Sequence, residues 1–415
     1  MAVVLIGTLD TKGGELGLVR DLLQARGLPT LVVDVGSLGP PTLEADIGRD
    51  EVLRFAGAEP SGDRGEAVAA MARGAARLLV DLHGRGGVDG VFGLGGSAGT
   101  VIASSAMRAL PFGLPKVLVS TLASGQTRPF LEGSDIALFP PVADLAGLNR
   151  LTRAALGNAG HALAGMVEGR AAVSVQPTQN EPRPIVVAAT MFGVTTRCVD
   201  RARSHLEALA RGAGRSVEVL VFHATGVGGQ SMEALVRDGL IDAVLDLTTT
   251  ELADELVGGI LSSGPDRLKA AVARGIPQVV SVGALDMVNF GPRATVPERF
   301  GRRTFHVHNP SVTLMRTTPQ ENAALGARMA EILRGSIAPT VVLLPLGGVS
   351  AIDVPGSAWH DPTANEALFD AIRVGLADHP LVEVVLRPEA INDPSFADFA
   401  AGRLFDLIQS RTTAS

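Results

Sequence analysis

The stretch from Val88 to Thr100, VDGVFGLGGSAGT, has the residue types and spacing of an anion-binding turn. Its apolar residues, including Val91 and Phe92, predict a buried strand, and the residues after Thr100 have helical character up to Pro111. A glycine turn between a strand and a helix presents backbone N–H groups to a phosphate or a carboxylate. Glycines let such a group approach without meeting a Cβ atom. The stretch therefore predicts a phosphate site, and the alternative is an ordinary tight turn.

Two common types of nucleotide-binding motif are incomplete or absent in this sequence. The spacing G-x-G-x-x-A approaches a dinucleotide fingerprint, but no acidic residue follows at about twenty residues, where the ribose ligand of NAD sites stands. The chain contains no Gly-Lys pair, so it has no Walker lysine motif. A nucleotide would have to be bound by other residues.

Polar residues follow several apolar runs in the first half of the chain. The carboxyl ends of parallel strands share one edge of a sheet, where ligands bind. We expect Asp34 to accept from a ribose hydroxyl or to be only a turn carboxylate. Asp10 is a candidate Mg²⁺ ligand, and Lys12 is either the phosphate cation or a solvated loop lysine. The candidate nucleotide-binding residues are Thr8, Asp10, Thr11, Lys12, Asp34, Gly36, Gly95, Gly96, Ser97, Thr100, Thr121, Ser124 and Gly125.

The second half offers histidines and carboxylates, which suit general acid–base chemistry. The candidate catalytic residues are His223, Glu251, Asp286 and His308. The candidate substrate-binding residues are Gly228, Gly229, Thr249, Thr250, Asn289 and Asn309. A lone histidine after a strand is often structural, and Thr248 with Glu251 also matches a helix capping box. No H-x-x-x-H spacing supports a transition-metal site.

Strands alternate with helical segments along both halves, which predicts an α/β fold with two Rossmann-like parallel-sheet domains and a cleft between them. The polar stretch 169–184 contains Pro177, Pro182 and Pro184 and marks the best boundary. We predict a nucleotide-binding domain over 1–175, a linker over 176–184 and a substrate domain over 185–415. The alternative is a single domain with a long surface connection.

The composition limits the class of protein. A chain of 415 residues suits two domains, and its formal charge of −7 argues against general nucleic-acid binding. The one cysteine, Cys198, excludes an internal disulfide. No apolar run is long enough to span a membrane, and the N-terminus does not have the pattern of a signal peptide. We expect a cytoplasmic protein with no membrane partner.

Several longer blocks resemble one known family. They include GTLDTKG (7–13), GLGGSAGT (93–100), STLASGQT (120–127), HATGVGGQSMEAL (223–235), GALDMVNFG (283–291), HNPSVTLMRTTPQE (308–321) and GVSAID (348–353). The family comprises bacterial and fungal proteins similar to the ATP-binding domain of the tomato mosaic virus resistance protein. The resemblance implies two Rossmann-like subdomains, self-association into a homo-oligomer, and ATP binding by the first three blocks.

Together these inferences predict an ATP-binding enzyme that uses Mg²⁺. Its reaction would be phosphoryl transfer to, or ATP-dependent activation of, a small polar substrate that bears a carboxylate or a hydroxyl. Glu251, Asp286 or His223 would be the base. One alternative is a nucleotide-independent hydrolase or lyase that acts on a small carboxylate. Another is a non-catalytic nucleotide-binding protein that acts through protein contacts.

Overall fold

The computed structural model describes residues 1–37, 39–57, 63–172 and 183–414 of the chain. These residues form two units, 1–176 and 177–415. Of the predicted linker over 176–184, only residues 183 and 184 lie within the described part. No helix in the described residues is long and apolar enough to cross a bilayer.

The first unit is a parallel sheet with helices on both faces. Its elements are β1 (Ala2–Gly7), α1 (Leu9–Ala25), β2 (Thr30–Asp34), α2 (Arg49–Ala56), α3 (Arg64–Gly84), β3 (Val88–Gly95), α4 (Ser97–Arg108), β4 (Lys116–Ser120), α5 (Arg128–Leu131), β5 (Ala137–Phe139) and α6 (Arg150–Ala172). The strand order is β2-β1-β3-β4-β5, and every pair is parallel.

Alternate side chains of β1 build the two cores of the first unit. Val4 and Ile6 pack with buried residues of α3 and α4 on one face. Val3 and Leu5 pack with residues of α1 and α6 on the other face. A parallel sheet covered on both sides needs such continuous apolar strands, and the short run AVVLIG supplies one.

The second unit contains a longer parallel sheet and a small antiparallel sheet. Its elements are β6 (Ile185–Met191), α7 (Thr196–Gly212), β7 (Val217–His223), α8 (Val227–Arg237), β8 (Ala243–Thr248), α9 (Glu251–Val257), α10 (Lys269–Arg274), β9 (Gln278–Gly283), β10 (Met287–Phe290), β11 (Phe305–Asn309), β12 (Val312–Arg316), α11 (Pro319–Leu333), β13 (Thr340–Pro345), α12 (Pro362–Leu376), β14 (Val382–Arg387) and α13 (Pro394–Ala414). The parallel order is β14-β13-β9-β8-β6-β7, and β12 pairs antiparallel with β10 and β11.

The predicted α/β fold with two parallel sheets is confirmed. The prediction was incomplete, because it did not include the small antiparallel sheet of the second unit. In each unit the first strand lies between the next two strands of the chain, so the order reverses beside it. Such a reversal point opens a crevice at the carboxyl ends of the strands, where ligands bind in open α/β sheets. In the first unit this point lies between β1 and β3.

Candidate functional site

The carboxyl end of β3 leads directly into helix α4, as the glycine pattern predicted. Among the described residues, none accepts a hydrogen bond from the N–H groups of Ser97, Ala98 and Gly99, the first turn of α4. A Cβ atom at Gly95 would lie 2.6 Å from the Cα of Gly99, so this tight turn requires glycine. At Gly96 the nearest atom to such a Cβ is the hydroxyl of Thr121, at 3.9 Å. The turn is therefore closely packed beneath and open above Gly96.

The second glycine turn, between β7 and α8, has the same type of residues but carries its own anion. The N–H groups of Gly226 and Gly229 donate to Oε1 of Glu251 at 2.7 and 3.0 Å. A Cβ at Gly229 would lie 2.2 Å from Oε2 of that carboxylate. A buried carboxylate thus occupies the start of α8, whereas in the described residues no side chain takes that place at α4.

Lys12 lies at the reversal point, where its dihedral angles (φ −129°, ψ 15°) interrupt helix α1. Its ammonium group donates to the carbonyl oxygen of Leu145. It takes part in none of the ion pairs found among the described residues, whereas Lys116 and Lys269 pair with Asp135 and Asp266. Lys12 is therefore the one lysine whose charge has no carboxylate partner within the described part of the chain.

A cavity of about 430 Å³ lies beyond the ends of β4 and β5. Its lining residues are Thr121, Ser124, Pro140, Pro141, Val142, Ala143 and Asp144. Thr121 also faces Gly96, and Asp144 precedes the residue that receives the hydrogen bond of Lys12. The turn of α4, the cavity and the lysine therefore form one continuous region of the first unit. Gly125 is exposed beside Ser124.

Three predicted nucleotide ligands of the first unit, Asp34, Gly36 and Thr100, are engaged in hydrogen bonds within the protein. Asp34 accepts from the N–H groups of Leu9 and Gly36 at 3.1 and 2.8 Å, and from Arg49 at 3.0 and 2.8 Å. These bonds fix the loops that follow β1 and β2. Thr100 is buried, and its hydroxyl lies 2.6 Å from that of Ser120.

The remaining predicted residues of the first unit lie around the start of α1. The hydroxyl groups of Thr8 and Thr11 are 3.0 Å apart. Oδ2 of Asp10 accepts from the N–H groups of Ser37 and Gly39 at 3.1 and 3.3 Å. In the described residues no group of three His, Cys, Asp or Glu side chains is placed to hold a metal ion. A Mg²⁺ ion would therefore need ligands beyond the protein's side chains, as Mg²⁺ commonly finds in the phosphates of a nucleotide.

In the second unit, Glu251 belongs to a buried ion-pair network around Arg267. The guanidinium is fully buried and pairs with Glu251 at 2.7 Å, with Asp246 and with Glu233 at 3.5 Å. Desolvation by burial raises the pKa of Glu251 and of Glu233, although Arg267 opposes that shift. Both oxygens of Glu251 are used, so this geometry stabilises the glycine turn and leaves no oxygen directed at a substrate.

The predicted substrate-binding residues Thr249 and Thr250, which follow β8, and Asn289, on β10, are all buried. The Thr249 hydroxyl donates to the carbonyl of Ser281 at 3.0 Å, and the hydroxyl of Thr250 has no partner among the described residues. Asn289 donates its backbone N–H and its side-chain amide to Asp254, at 3.0 and 2.7 Å. Burial raises the pKa of Asp254 to about 7.

Asp286 is a fully buried carboxylate at the end of β9. Its Oδ2 accepts from the Ser350 hydroxyl at 2.8 Å and from the Trp359 indole at 2.7 Å. Its Oδ1 is buried and has no hydrogen-bond partner among the described residues. Desolvation raises the pKa of Asp286 to about 6, and Arg316 limits the shift.

The predicted histidines lie on exposed edges. His223 ends the edge strand β7, and its ring packs against Phe192 with centroids 5.6 Å apart. His308 is exposed on β11, 6.5 Å from the ring of His306. Asn309 accepts from the N–H of Ser311 at 2.8 Å, which closes a turn. Gly228 lies against the His223 carbonyl, where a Cβ would approach to 1.9 Å.

Sequence reasoning missed a group of polar residues that meet in the loop between β13 and α12. Asp353 lies 2.9 Å from Nδ1 of His360, and Arg316 bonds to Thr317 and Asn365 nearby. The block GVSAID contains one of these residues, Asp353, but neither its spacing nor its composition indicates a role. Arg267 was missed too, because a buried arginine has no local sequence signal.

Comparison with known proteins identifies clear relatives. The models of the N-terminal and C-terminal domains of the uncharacterised protein family UPF0261 match residues 1–172 and 184–408. A UPF0261 protein of Clostridium tetani is 45% identical over 412 residues, which cover 98% of this chain and 99% of that protein. The ToMV resistance protein Tm-1(GCR237) of Solanum lycopersicum is 42% identical over 95% of this chain, which spans 54% of the tomato protein.

The solved structures give only loose matches. MurG of Acinetobacter baumannii is 11% identical, with 99% of this chain and 93% of that chain covered, at a TM-score of 0.22. A putative UDP-N-acetylglucosamine 2-epimerase of Listeria monocytogenes is 12% identical, with 100% and 98% covered, at 0.23. Superpositions of this quality support no conclusion about ligands.

Proposed function

The chain belongs to the uncharacterised protein family UPF0261, and we propose that it is an ATP-binding enzyme whose first unit holds the nucleotide. The proposed reaction is phosphoryl transfer to, or ATP-dependent activation of, a small polar substrate with a hydroxyl or a carboxylate. The proposal extends to Mg²⁺ as the ion that accompanies ATP, and to a cytoplasmic homo-oligomer.

The observation that carries the proposal is the first turn of α4, whose N–H groups have no acceptor in the described part of the chain, together with Lys12, which has no carboxylate partner there. N–H groups at a helix start and a nearby ammonium group favour an anion. At α8 the same type of turn takes a carboxylate of the chain itself, so such turns bind anions in this protein. We assign the phosphates to the N–H groups of residues 97–99 and to Lys12.

The cavity beside this turn suits the rest of a nucleotide. Its volume of about 430 Å³ is within the range of small-molecule sites. Prolines and Val142 offer an apolar wall, while the hydroxyls of Thr121 and Ser124 can bond to sugar oxygens. Asp10, at the start of α1, is the carboxylate assigned to share Mg²⁺ with the phosphates. In phosphoryl transfer most of the catalysis is positioning and charge stabilisation, which such groups supply.

A thermal-shift titration with ATP, ADP and AMP, each with and without Mg²⁺, tests the proposal. A ligand at one hundred times its Kd adds about 2.7 kcal/mol of stability. We expect ATP with Mg²⁺ to raise the melting temperature of the wild type and to have little effect on Gly96→Val. A Cβ at Gly96 has open space, so this variant is expected to fold and to obstruct only the ligand. No shift with any nucleotide would contradict the proposal.

A second candidate function is a nucleotide-independent hydrolase or lyase on a small carboxylate. Oδ1 of Asp286, which has no hydrogen-bond partner within the described ranges, favours it, because a buried carboxylate with a raised pKa is a frequent general acid or base. Turnover of a small carboxylate in the absence of nucleotide, lost in Asp286→Asn, would support this candidate over the first.

A further inference from the structure

The loop between β13 and α12 gathers polar residues from three separate parts of the second unit. Asp286 follows β9, Arg316 ends β12, and Asp353 lies in the loop itself. The loop follows the carboxyl end of β13, the edge at which open α/β sheets bind ligands. Neither proposed function above uses the side chains of this loop.

Asp353 and His360 form a buried carboxylate–imidazole pair within this loop. The Nδ1 atom of His360 lies 2.9 Å from Oδ1 of Asp353. The carboxylate is 0% exposed, whereas the His360 side chain is 16% exposed. Nε2 has no partner among the described residues. The ring is thus bonded on its inner nitrogen, and its outer nitrogen is available.

The other oxygen of Asp353 is held from two sides. Oδ2 accepts from the N–H of Val349 at 3.1 Å and from the amide of Asn365 at 2.7 Å. Arg316 lies 3.7 Å from Oδ1 and balances the local charge of Asp353 and Asp286. Because a carboxylate only accepts, the Nδ1 atom of His360 donates, and in the neutral ring this leaves the lone pair on Nε2. A carboxylate that fixes this tautomer is the arrangement that makes a histidine a general base.

Aromatic rings border the pair and make the surface rigid. The indole N–H of Trp359 is fixed to Asp286 at 2.7 Å. The ring of His306 packs edge-on against Trp359, with centroids 6.2 Å apart. Trp359, the residue before His360, is therefore held by the hydrogen bond to Asp286 and by the ring of His306. These contacts fix the backbone from which His360 extends.

We propose that His360 is a proton-transfer residue of the second unit, with Asp353 as its positioning residue. Nε2 takes a proton from a water molecule or from a hydroxyl group of a small polar molecule as that oxygen forms a bond, and gives the proton to the group that leaves when the old bond breaks. This activity needs no nucleotide and stands apart from the proposed function of the first unit. Its failure would leave ATP binding untouched, and the reverse also holds.

Imidazole nitrogen NMR tests the tautomer directly. In a long-range proton–nitrogen correlation spectrum of the full chain at pH 8, we expect His360 to show the Nδ1–H tautomer, assigned through His360→Gln. His379 is the internal reference for the opposite tautomer. Its Nε2 lies 3.0 Å from the Arg334 carbonyl, and its Nδ1 accepts from the N–H of Leu381 at 3.2 Å. An Nε2–H tautomer at His360 would overturn the proposal.

The variant Asp353→Asn tests whether Asp353 sets the tautomer of His360 or only contributes to folding. Val349 and Asn365 both donate to the Oδ2 position, so they will hold the amide oxygen there. The amide NH₂ then faces Nδ1 of His360 and forces the Nε2–H tautomer. We expect this tautomer switch at His360 and no change at His379. If His360 keeps its tautomer in a folded variant, Asp353 does not position it.

The reactivity of the Nε2 lone pair is measured as the burst of p-nitrophenolate that the protein releases from an excess of p-nitrophenyl acetate. Attack by Nε2 forms a bond to the acetyl carbon, breaks the ester C–O bond and releases p-nitrophenolate. Water then cleaves the acetyl-imidazolium, which keeps its Nδ1 proton, into acetate, two released protons and the free ring. We expect His360→Gln and Asp353→Asn to lose most of the burst, while His379→Gln keeps it. A burst unchanged in His360→Gln would overturn the proposal, whatever the tautomer.

Discussion

The amine of Lys12 donates to a backbone carbonyl, while the chain's two other lysines pair with carboxylates. No carboxylate of the described residues pairs with Lys12, so its ammonium group is available to an anionic ligand. We expect Lys12→Met, which keeps the hydrocarbon part of the side chain, to weaken ATP binding about tenfold, or about 1.4 kcal/mol. Isothermal titration with ATP and Mg²⁺ measures the change.

The control for this prediction is Lys269→Met, which removes an exposed lysine that pairs with Asp266. Both variants lower the net charge by the same amount, so a long-range charge effect would weaken both. Equal affinities for the Lys12 variant and the wild type would show that the amine does not contact the phosphates.

A second prediction at the residue scale concerns Asp254, whose pKa burial raises from 3.8 to about 7. Between these two values the folded protein holds a proton that the unfolded chain releases. Stability from this group is therefore present at pH 5 and is lost as the pH rises through 7. The difference between pH 5 and pH 8 is about 2 to 3 kcal/mol, since one pKa unit corresponds to about 1.4 kcal/mol.

Urea unfolding of the wild type and Asp254→Asn at pH 5 and pH 8 measures this difference. The variant side chain is neutral at both pH values. Oδ1 of Asn289, which has no partner among the residues that the structure describes, can accept from the introduced amide after a flip of the Asn289 side chain. We expect the pH dependence of the variant to be smaller by the stated amount. Parallel pH dependence in both proteins would show that Asp254 is ionised throughout.

At the residue scale, the sequence predicted which residue types gather at the strand ends better than it predicted their roles. Lys12, Ser97 and Thr121 stand where the strand ends were expected to place them. Asp34 and Glu251 are instead saturated by Arg49 and Arg267, which lie 15 and 16 residues away in the chain. Such pairings depend on tertiary contacts that local spacing does not encode.

At the scale of elements, the two glycine turns differ in what their N–H groups bind. In the second unit the turn is built around Glu251, so a methyl group at Gly229 would have to displace that carboxylate. We expect Gly229→Ala to destabilise the protein by about 2 kcal/mol or more, because a buried ion pair is broken. Urea unfolding of the variant gives the value.

The matched control is Gly402→Ala in helix α13, where a Cβ atom meets nothing within 4 Å. Alanine there should be neutral or stabilising by a few tenths to about 1 kcal/mol, as in other helix interiors. If Gly229→Ala were tolerated as well as Gly402→Ala, the carboxylate would not be rigidly held against the turn.

Both parallel sheets were predictable from the alternation of apolar runs and helical segments. The antiparallel sheet was not, because β10 has four residues and β12 has five, which is too short for a clear hydrophobic period. Asp254 accepts two hydrogen bonds from Asn289 of β10, so its partners depend on this antiparallel sheet.

At the scale of the whole molecule, the chain consists of two α/β units, each with its own buried core. We propose nucleotide binding by the first unit and proton transfer by the second. Each proposed activity depends on contacts within one unit, so variants in one unit should leave the activity of the other unchanged. The UPF0261 models match both units, and they support neither the nucleotide site of the first unit nor the proton-transfer site of the second.

Hydrogen–deuterium exchange with and without saturating ATP and Mg²⁺ tests the central claim most directly. The N–H groups of residues 97–99 have no acceptor among the described residues, so a bound phosphate would slow their exchange. We expect protection of peptides that cover 8–12 and 96–100, and no change at 226–229, where Glu251 already accepts. Unchanged exchange at 96–100, under conditions in which ATP raises the melting temperature, would place the nucleotide elsewhere and contradict the account.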